Sequence, residues 1–204
     1  MADNFPAGTE GLPEHLRREL TFWRNHTSII GKLTRYAAYC EFFGDYAGRQ
    51  YGVVGDIGCG PIPFMNWMYA ETMVAIDPLV EFYHEIPHWA RFWRMNDIRS
   101  CKDIGELPAL YLDCALLLNF LDHIEPDTRG EYFETLYTRL SPGCIVIIFT
   151  HIRVKPDQFH FVTGIDESEA LASKRLHKIR SGVTDQKFKH WPQESWWGVY
   201  QKSE

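Results

Sequence analysis

Nowhere in its 204 residues does the chain hold an uncharged apolar run near the ~20 residues that cross a bilayer as a helix, so a membrane-spanning segment is not expected. It also lacks an excess of positive charge. Lys and Arg number 21 against 27 Asp and Glu, a formal net charge of −6, which disfavours the broad basic field that gathers nucleic-acid backbones. There is no Cys-x-x-Cys pair, and the cysteines are five, an odd number (Cys40, Cys59, Cys101, Cys114 and Cys144), so reduced packing thiols are expected rather than a disulfide framework or a zinc ribbon. Internal repeats and low-complexity tracts are absent. The opening Met1-Ala2-Asp3-Asn4-Phe5-Pro6 has no basic stretch leading into an apolar one, so a secretory leader is not expected and the cytoplasm is the default location. What the chain does have is 45% hydrophobic and 15% aromatic residues, ample for the core of one domain.

The most informative segment is the apolar run Tyr51-Gly52-Val53-Val54-Gly55 leading into Asp56-Ile57-Gly58-Cys59-Gly60, followed by a second apolar run, Met73-Val74-Ala75-Ile76, that ends in Asp77-Pro78. This reads as strand, glycine turn, helix, and a strand closed by an acid. Glycines at such a turn let the backbone approach a ligand at the carboxyl end of the first strand. The acid ending the second strand can accept hydrogen bonds from both hydroxyls of a ribose, so the unit reads as a site for an adenosine-type cofactor. Taken alone, Asp77 also suits a helix N-cap or a turn acid.

A dinucleotide fingerprint requires Gly-x-Gly-x-x-Gly, whereas Pro63 stands at the third glycine position here and Asp56 lies two residues before Gly58. A pyrophosphate would meet a negative charge there. S-adenosylmethionine carries an ammonium and a sulfonium and no phosphate, so the electrostatic sign favours it over NAD or ATP.

On these residues the chain resembles the class I S-adenosylmethionine-dependent methyltransferase family, whose first motif runs acid-x-Gly-x-Gly and whose second strand ends in a ribose-binding acid. Further segments match in order: Asn96-Asp97-Ile98, Leu116 to Ile124 with Asn119-Phe120-Leu121-Asp122-His123 at its end, and Leu140 to Ile148. The resemblance covers residues 50–150 well, the tail moderately and the N-terminus weakly. It implies S-adenosylmethionine as cofactor, with Asp77 and Pro78 at the ribose, Asp56, Gly58, Cys59 and Gly60 at the methionine end, Asp97 and Ile98 beside the adenine, and Asn119 and Phe120 lining the pocket.

Hydrophobic periodicity predicts an α/β fold: helices over 14–25 and 29–43, a strand over 51–57, a helix over 63–71, a strand over 72–77, a helix over 79–86, a short strand over 91–96 and a short helix over 102–106. A strand over 110–118, a helix over 129–140, a strand over 144–149, a helix over 167–174 and two strands over 176–180 and 196–200 follow. Alternation of this kind specifies a parallel sheet with right-handed crossovers. The resemblance implies a Rossmann-like sheet of seven strands, mostly parallel, with helices on both faces and an antiparallel last strand inserted beside the fifth. Residues 1–48 are expected to form an arm and a helical lid, and residues 49–204 the cofactor-binding domain, in one compact unit. The aromatic residues Phe22, Trp23, His26, Tyr36 and Tyr39 serve either a lid or the packing of these helices on the sheet, and packing is the preferred reading.

Methyl transfer from a sulfonium needs alignment and, for some acceptors, removal of a proton. His123 is the candidate base, just past the fourth strand, with Asp122 to orient it or act instead; shaping the pocket or capping a helix are the structural alternatives. His151, with Thr150 at the end of the fifth strand, and His160 on the following loop form a second set, and a structural role for His151 is the simpler reading. Relatives with a Glu-His pair in this loop bind a divalent metal; here the pair is Asp122-His123 and no further metal-binding acids are identifiable beyond Glu125, so no metal site is expected. No Asn/Asp-Pro-Pro-aromatic sequence follows the fourth strand, which disfavours amino-methylating DNA enzymes. The expected reaction is transfer to an oxygen or nitrogen of a small-molecule acceptor. The alternative is a cofactor-binding pseudoenzyme or partner subunit.

Overall fold

The computed structural model describes residues 8–26, 29–93, 97–152, 160–184 and 194–203, with the backbone only for 29–35 and 38. The strands are β1 (Gln50–Ile57), β2 (Tyr69–Ile76), β3 (Ile98–Cys101), β4 (Leu112–Leu118), β5 (Leu140–His151), β6 (Leu176–Thr184) and β7 (Ser195–Lys202). They form one seven-stranded sheet in the order β3-β2-β1-β4-β5-β7-β6. Pairings from β3 through β5 are parallel, and β7 runs antiparallel to both β5 and β6. The expected seven strands, and the last strand inserted beside the fifth, are therefore present.

Side chains alternate along β5 between two cores. Ile145, Ile147 and Phe149 join one cluster with α1 (Glu14–Asn25), α2 (Ile29–Ala47) and α4 (Pro87–Trp93). Cys144, Val146 and Ile148 join the other, with α5 (Pro126–Arg139) and α6 (Ile165–Ser173). A strand whose period-2 faces are both apolar must be covered on both sides, and helices supply that cover.

The N-terminal helices are built into the first core. Leu20, Tyr39 and Phe43 are fully buried, Trp89 Nε1 donates to the Trp23 carbonyl at 3.0 Å, and the Tyr36 hydroxyl donates to the Ile62 carbonyl. The aromatic residues Tyr36 and Tyr39 thus pack on the sheet, while Phe22 stays exposed and stacks on His26.

Three expectations need correction. The helix expected over 63–71 is one 3-10 turn, Phe64–Trp67, and β2 begins at Tyr69. Pro63 is extended, and the residue before a proline is kept out of the helical region, so Pro61 and Pro63 oppose an earlier helix start. The strand expected over 91–96 is contradicted at 91–93, which close the helix α4; Pro87 starts that helix, and Trp89, Ala90, Phe92 and Trp93 are all buried. Residues 94–96 lie outside the described residues, and β3 begins at Ile98. The helix expected over 79–86 is shorter, α3 (Val80–Tyr83), and gives way to α4.

Burial sets the chemistry of the thiols. All five cysteines are free. Cys101 has its pKa pushed up to about 11 by burial, with the charges of Glu106 and Asp103 adding, and burial pushes Cys114 and Cys144 higher still. A thiol with such a pKa is roughly one-thousandth thiolate at pH 8, and the thiolate is the nucleophile. Iodoacetamide at pH 8 should therefore label the exposed Cys40 first in the native protein, with Cys101 gaining reactivity only as pH rises toward 11. Peptide mapping after timed alkylation checks this, and rapid labelling of Cys101 at pH 8 would overturn it.

Candidate active site

The sheet order reverses direction between β1 and β4, because the chain builds outward to β2 and β3 on one side and to β5 on the other. A crevice opens at the carboxyl ends of the strands flanking such a reversal, and open α/β sheets bind ligands there. Gly58 follows β1 and Asn119-Phe120 follow β4, so the two segments singled out from sequence face each other across this point.

The glycine turn is a left-handed backbone device. Gly58 has φ +66° and Gly60 has φ +60°, a region costly for residues with a Cβ, and buried Cys59 lies between them. The Phe120 ring presses on the turn: a Cβ on Gly58 would lie 2.3 Å from Phe120 Cδ2.

Both acids of the motif are buried and turned toward backbone. Asp56 Oδ2 accepts from the N–H groups of Phe64 (2.6 Å) and Met65 (3.3 Å), capping the 3-10 turn and holding the glycine loop against its own continuation. Asp77 Oδ2 accepts from the Gly60 N–H at 3.0 Å, and Oδ1 from the Leu79 N–H at 2.8 Å, so this carboxylate joins the end of β2 to the glycine turn. The fully buried Tyr83 hydroxyl has its pKa raised well above its ordinary value by burial, with the Asp77 charge adding. Pro78 is exposed beside Asp77.

The remaining expected cofactor residues divide. Asn119 takes a left-handed conformation, φ +56°, at the end of β4; its Nδ2 donates to the Tyr39 hydroxyl, and its buried Oδ1 has no hydrogen-bond partner among the described residues. Asp97 and Ile98 fall at the far end of their strand. Ile98 opens β3, three residues before its carboxyl end, about 10 Å along an extended strand, and Asp97 precedes it. The site edge of β3 instead carries Asp103, whose carboxylate accepts from the Gly105 N–H at 2.6 Å, and buried Ile104. The Asp-Ile pair of 97–98 recurs at 103–104, where a glycine, a turn signal, follows it, and that later copy is the one at the rim.

Asp122 and His123 sit in the 3-10 turn Leu121–His123 after β4, with Asp122 fully buried. His160 comes from the segment after β5, and its ring centroid lies 4.6 Å from that of His123. Glu19 Oε2, on α1, is 3.9 Å from His123 Nδ1. His151 stands apart from this group, buried at the end of β5 with Nδ1 2.8 Å from Ser195 Oγ. That contact ties β5 to β7. Thr150, next to it, is also buried.

No family model matches the sequence, and no curated protein matches it. Solved structures do. The N-methyltransferase NodS from Bradyrhizobium japonicum WM9, in complex with S-adenosylhomocysteine, superposes with a TM-score of 0.69 at 14% identity, over 92% of this chain and 98% of that one. The chain has the fold of the class I S-adenosylmethionine-dependent methyltransferases. The same methyltransferase fold is shared with the 1,6-didemethyltoxoflavin-N1-methyltransferase of Burkholderia thailandensis (TM-score 0.67, 18% identity, 93% of this chain and 86% of that one). It is shared too with magnesium protoporphyrin IX methyltransferase from Synechocystis PCC 6803 (TM-score 0.64, 12% identity, 91% and 94%). Each of these two was also solved with S-adenosylhomocysteine bound. Among the described residues, no helix is long and apolar enough to cross a membrane.

Proposed function

We propose that the protein is an S-adenosylmethionine-dependent methyltransferase that moves the methyl group to an oxygen or nitrogen of a small-molecule acceptor. The observation that carries this reading is the pair of buried carboxylates, Asp56 and Asp77, bracketing a left-handed glycine turn at the sheet's switch point. Two negative charges there suit a cofactor bearing an ammonium and a sulfonium and oppose a pyrophosphate. Asp77 takes the ribose hydroxyls, Ile104 and Asp103 lie toward the adenine, and the backbone at Gly58 and Gly60 meets the methionine end. The Asn119 Oδ1, a buried acceptor, receives a donor from the methionine ammonium.

The protein's part in the reaction is to align acceptor, methyl and sulfur, since the sulfonium is already a good leaving group. His123 stands where a proton leaving the acceptor can be taken up, with Glu19 on its Nδ1 side to hold the ring. A free state for all five thiols fits a reducing, cytoplasmic compartment.

Isothermal titration with S-adenosylmethionine, S-adenosylhomocysteine and NAD tests the cofactor. Micromolar binding of the first two, about 8 kcal/mol, and none of NAD is expected. Absence of binding by both sulfur compounds overturns the reading. Binding without product formation across an acceptor panel, followed by release of S-adenosylhomocysteine, would favour a cofactor-binding pseudoenzyme.

A further inference from the structure

We infer that Asp122, His123 and His160 form a binding site for one divalent transition-metal ion. One potential ligand atom from each lies within 4.8 Å of the others, and Asp122 is fully buried while the two histidines are half-buried. Ligand atoms around a tetrahedral ion with bonds of about 2.0–2.2 Å stand roughly 3.3–3.6 Å apart. Small rotations of the two imidazoles close the difference.

The donor set selects the ion. Two imidazoles and one carboxylate suit Zn²⁺, Fe²⁺, Co²⁺ or Mn²⁺, while Mg²⁺ and Ca²⁺ prefer all-oxygen surroundings. Three protein ligands also leave coordination positions for an acceptor heteroatom, whose proton a bound cation makes easier to lose.

The scaffold around the three residues is fixed in the manner of a metal site. The Phe161 N–H donates to the Asp122 carbonyl at 2.7 Å, joining the residue after His160 to the turn that carries Asp122 and His123. Buried Arg129 reaches the same two segments, its Nε donating to the Ile124 carbonyl at 3.1 Å and its Nη2 to the Val162 carbonyl at 2.8 Å. Glu19 Oε2, 3.9 Å from His123 Nδ1, puts a carboxylate behind that imidazole, where the outer partner of a metal-bound histidine stands. With an ion bound, His123 is a ligand and the acceptor proton leaves from the coordinated group to solvent or a second base. That placement of the ion at the acceptor rim rests on the methyltransferase reading, but the ion site does not.

The experiment is a titration of tag-free protein with Co²⁺, followed by its visible absorption, in the absence of cofactor, with Mg²⁺ as the competitor. The wild type is expected to bind one equivalent, unaffected by excess Mg²⁺. His160→Ala and His123→Ala, each checked for folding by circular dichroism, should bind more than about 100-fold more weakly, since loss of a ligand exceeds the 10- to 100-fold typical of an outer partner. No Co²⁺ binding by wild type, equal binding by His160→Ala, or displacement by Mg²⁺ would each overturn the site. A separate titration with S-adenosylhomocysteine reports on the cofactor pocket, so failure of one reading is distinguishable from failure of the other.

Discussion

Asp77→Asn is expected to weaken S-adenosylhomocysteine binding by between about tenfold and 150-fold while the protein remains folded. The magnitude follows from hydrogen bonds to a charged acceptor, worth about 1.5–3 kcal/mol each, of which the amide forfeits at least one to a ribose hydroxyl. Some stability goes as well. The carboxylate accepts from the Gly60 N–H through one oxygen and the Leu79 N–H through the other, and an amide can satisfy only one of these while its NH₂ confronts the second donor. Leaving one buried N–H unpaired costs about 1–3 kcal/mol. Asp77→Ala removes both acceptors and should lower stability further, so the asparagine variant is the cleaner test of binding. Titration calorimetry alongside urea denaturation separates the two effects, and an affinity equal to wild type in folded Asp77→Asn would remove the ribose assignment.

The residues that declared themselves in the sequence did so because short-range chemistry forces their geometry. An acid and two glycines between an apolar strand and its continuation leave few conformations, and the structure finds both glycines left-handed and Asp56 bound to the backbone eight and nine residues on. The parallel sheet followed from the alternation of elements, and the antiparallel β7 beside β5 from the resemblance. Where expectation failed, tertiary burial had overruled local pattern. Residues 91–93 read as extended because Phe92 and Trp93 have high strand propensity, yet with Trp89 they bury one side of a helix. Misplacing β3 also put Asp97 and Ile98 at its carboxyl end, where the structure has Asp103 and Ile104. His123 and His160 were each visible as isolated histidines, but their meeting depends on β4 and β5 being neighbours, with the Phe149 carbonyl accepting from the Asn119 N–H at 2.7 Å just before the turn. A pattern reading limited to each segment contains no such distance.

Arg129 shows what holds this rim in place, and Arg129→Ala is expected to lower unfolding stability by about 3–5 kcal/mol, from the cavity left by a fully buried side chain and from acceptors left without their donor. Its guanidinium is 1% exposed and donates through Nη1 to both oxygens of Glu167, 2.7 Å each. Its other nitrogens hold the carbonyls of Ile124 and Val162 and the Thr163 hydroxyl. One side chain therefore neutralises Glu167, one of two acids in the first turn of α6, and satisfies backbone from two loops. Glu167→Ala should cost less, about 1–3 kcal/mol, because Glu167 is 39% exposed, so water can partly solvate the guanidinium left behind, and its carbonyl partners remain. Arg129→Lys should fall between them, keeping the charge but losing the planar fork that reaches three directions at once. Guanidinium chloride denaturation of the three variants gives the ordering. If Glu167→Ala were as damaging as Arg129→Ala, the ion pair would dominate and the carbonyl clamp would contribute little. If Arg129→Ala lay within about 1 kcal/mol of wild type, the rim would not depend on this residue at all.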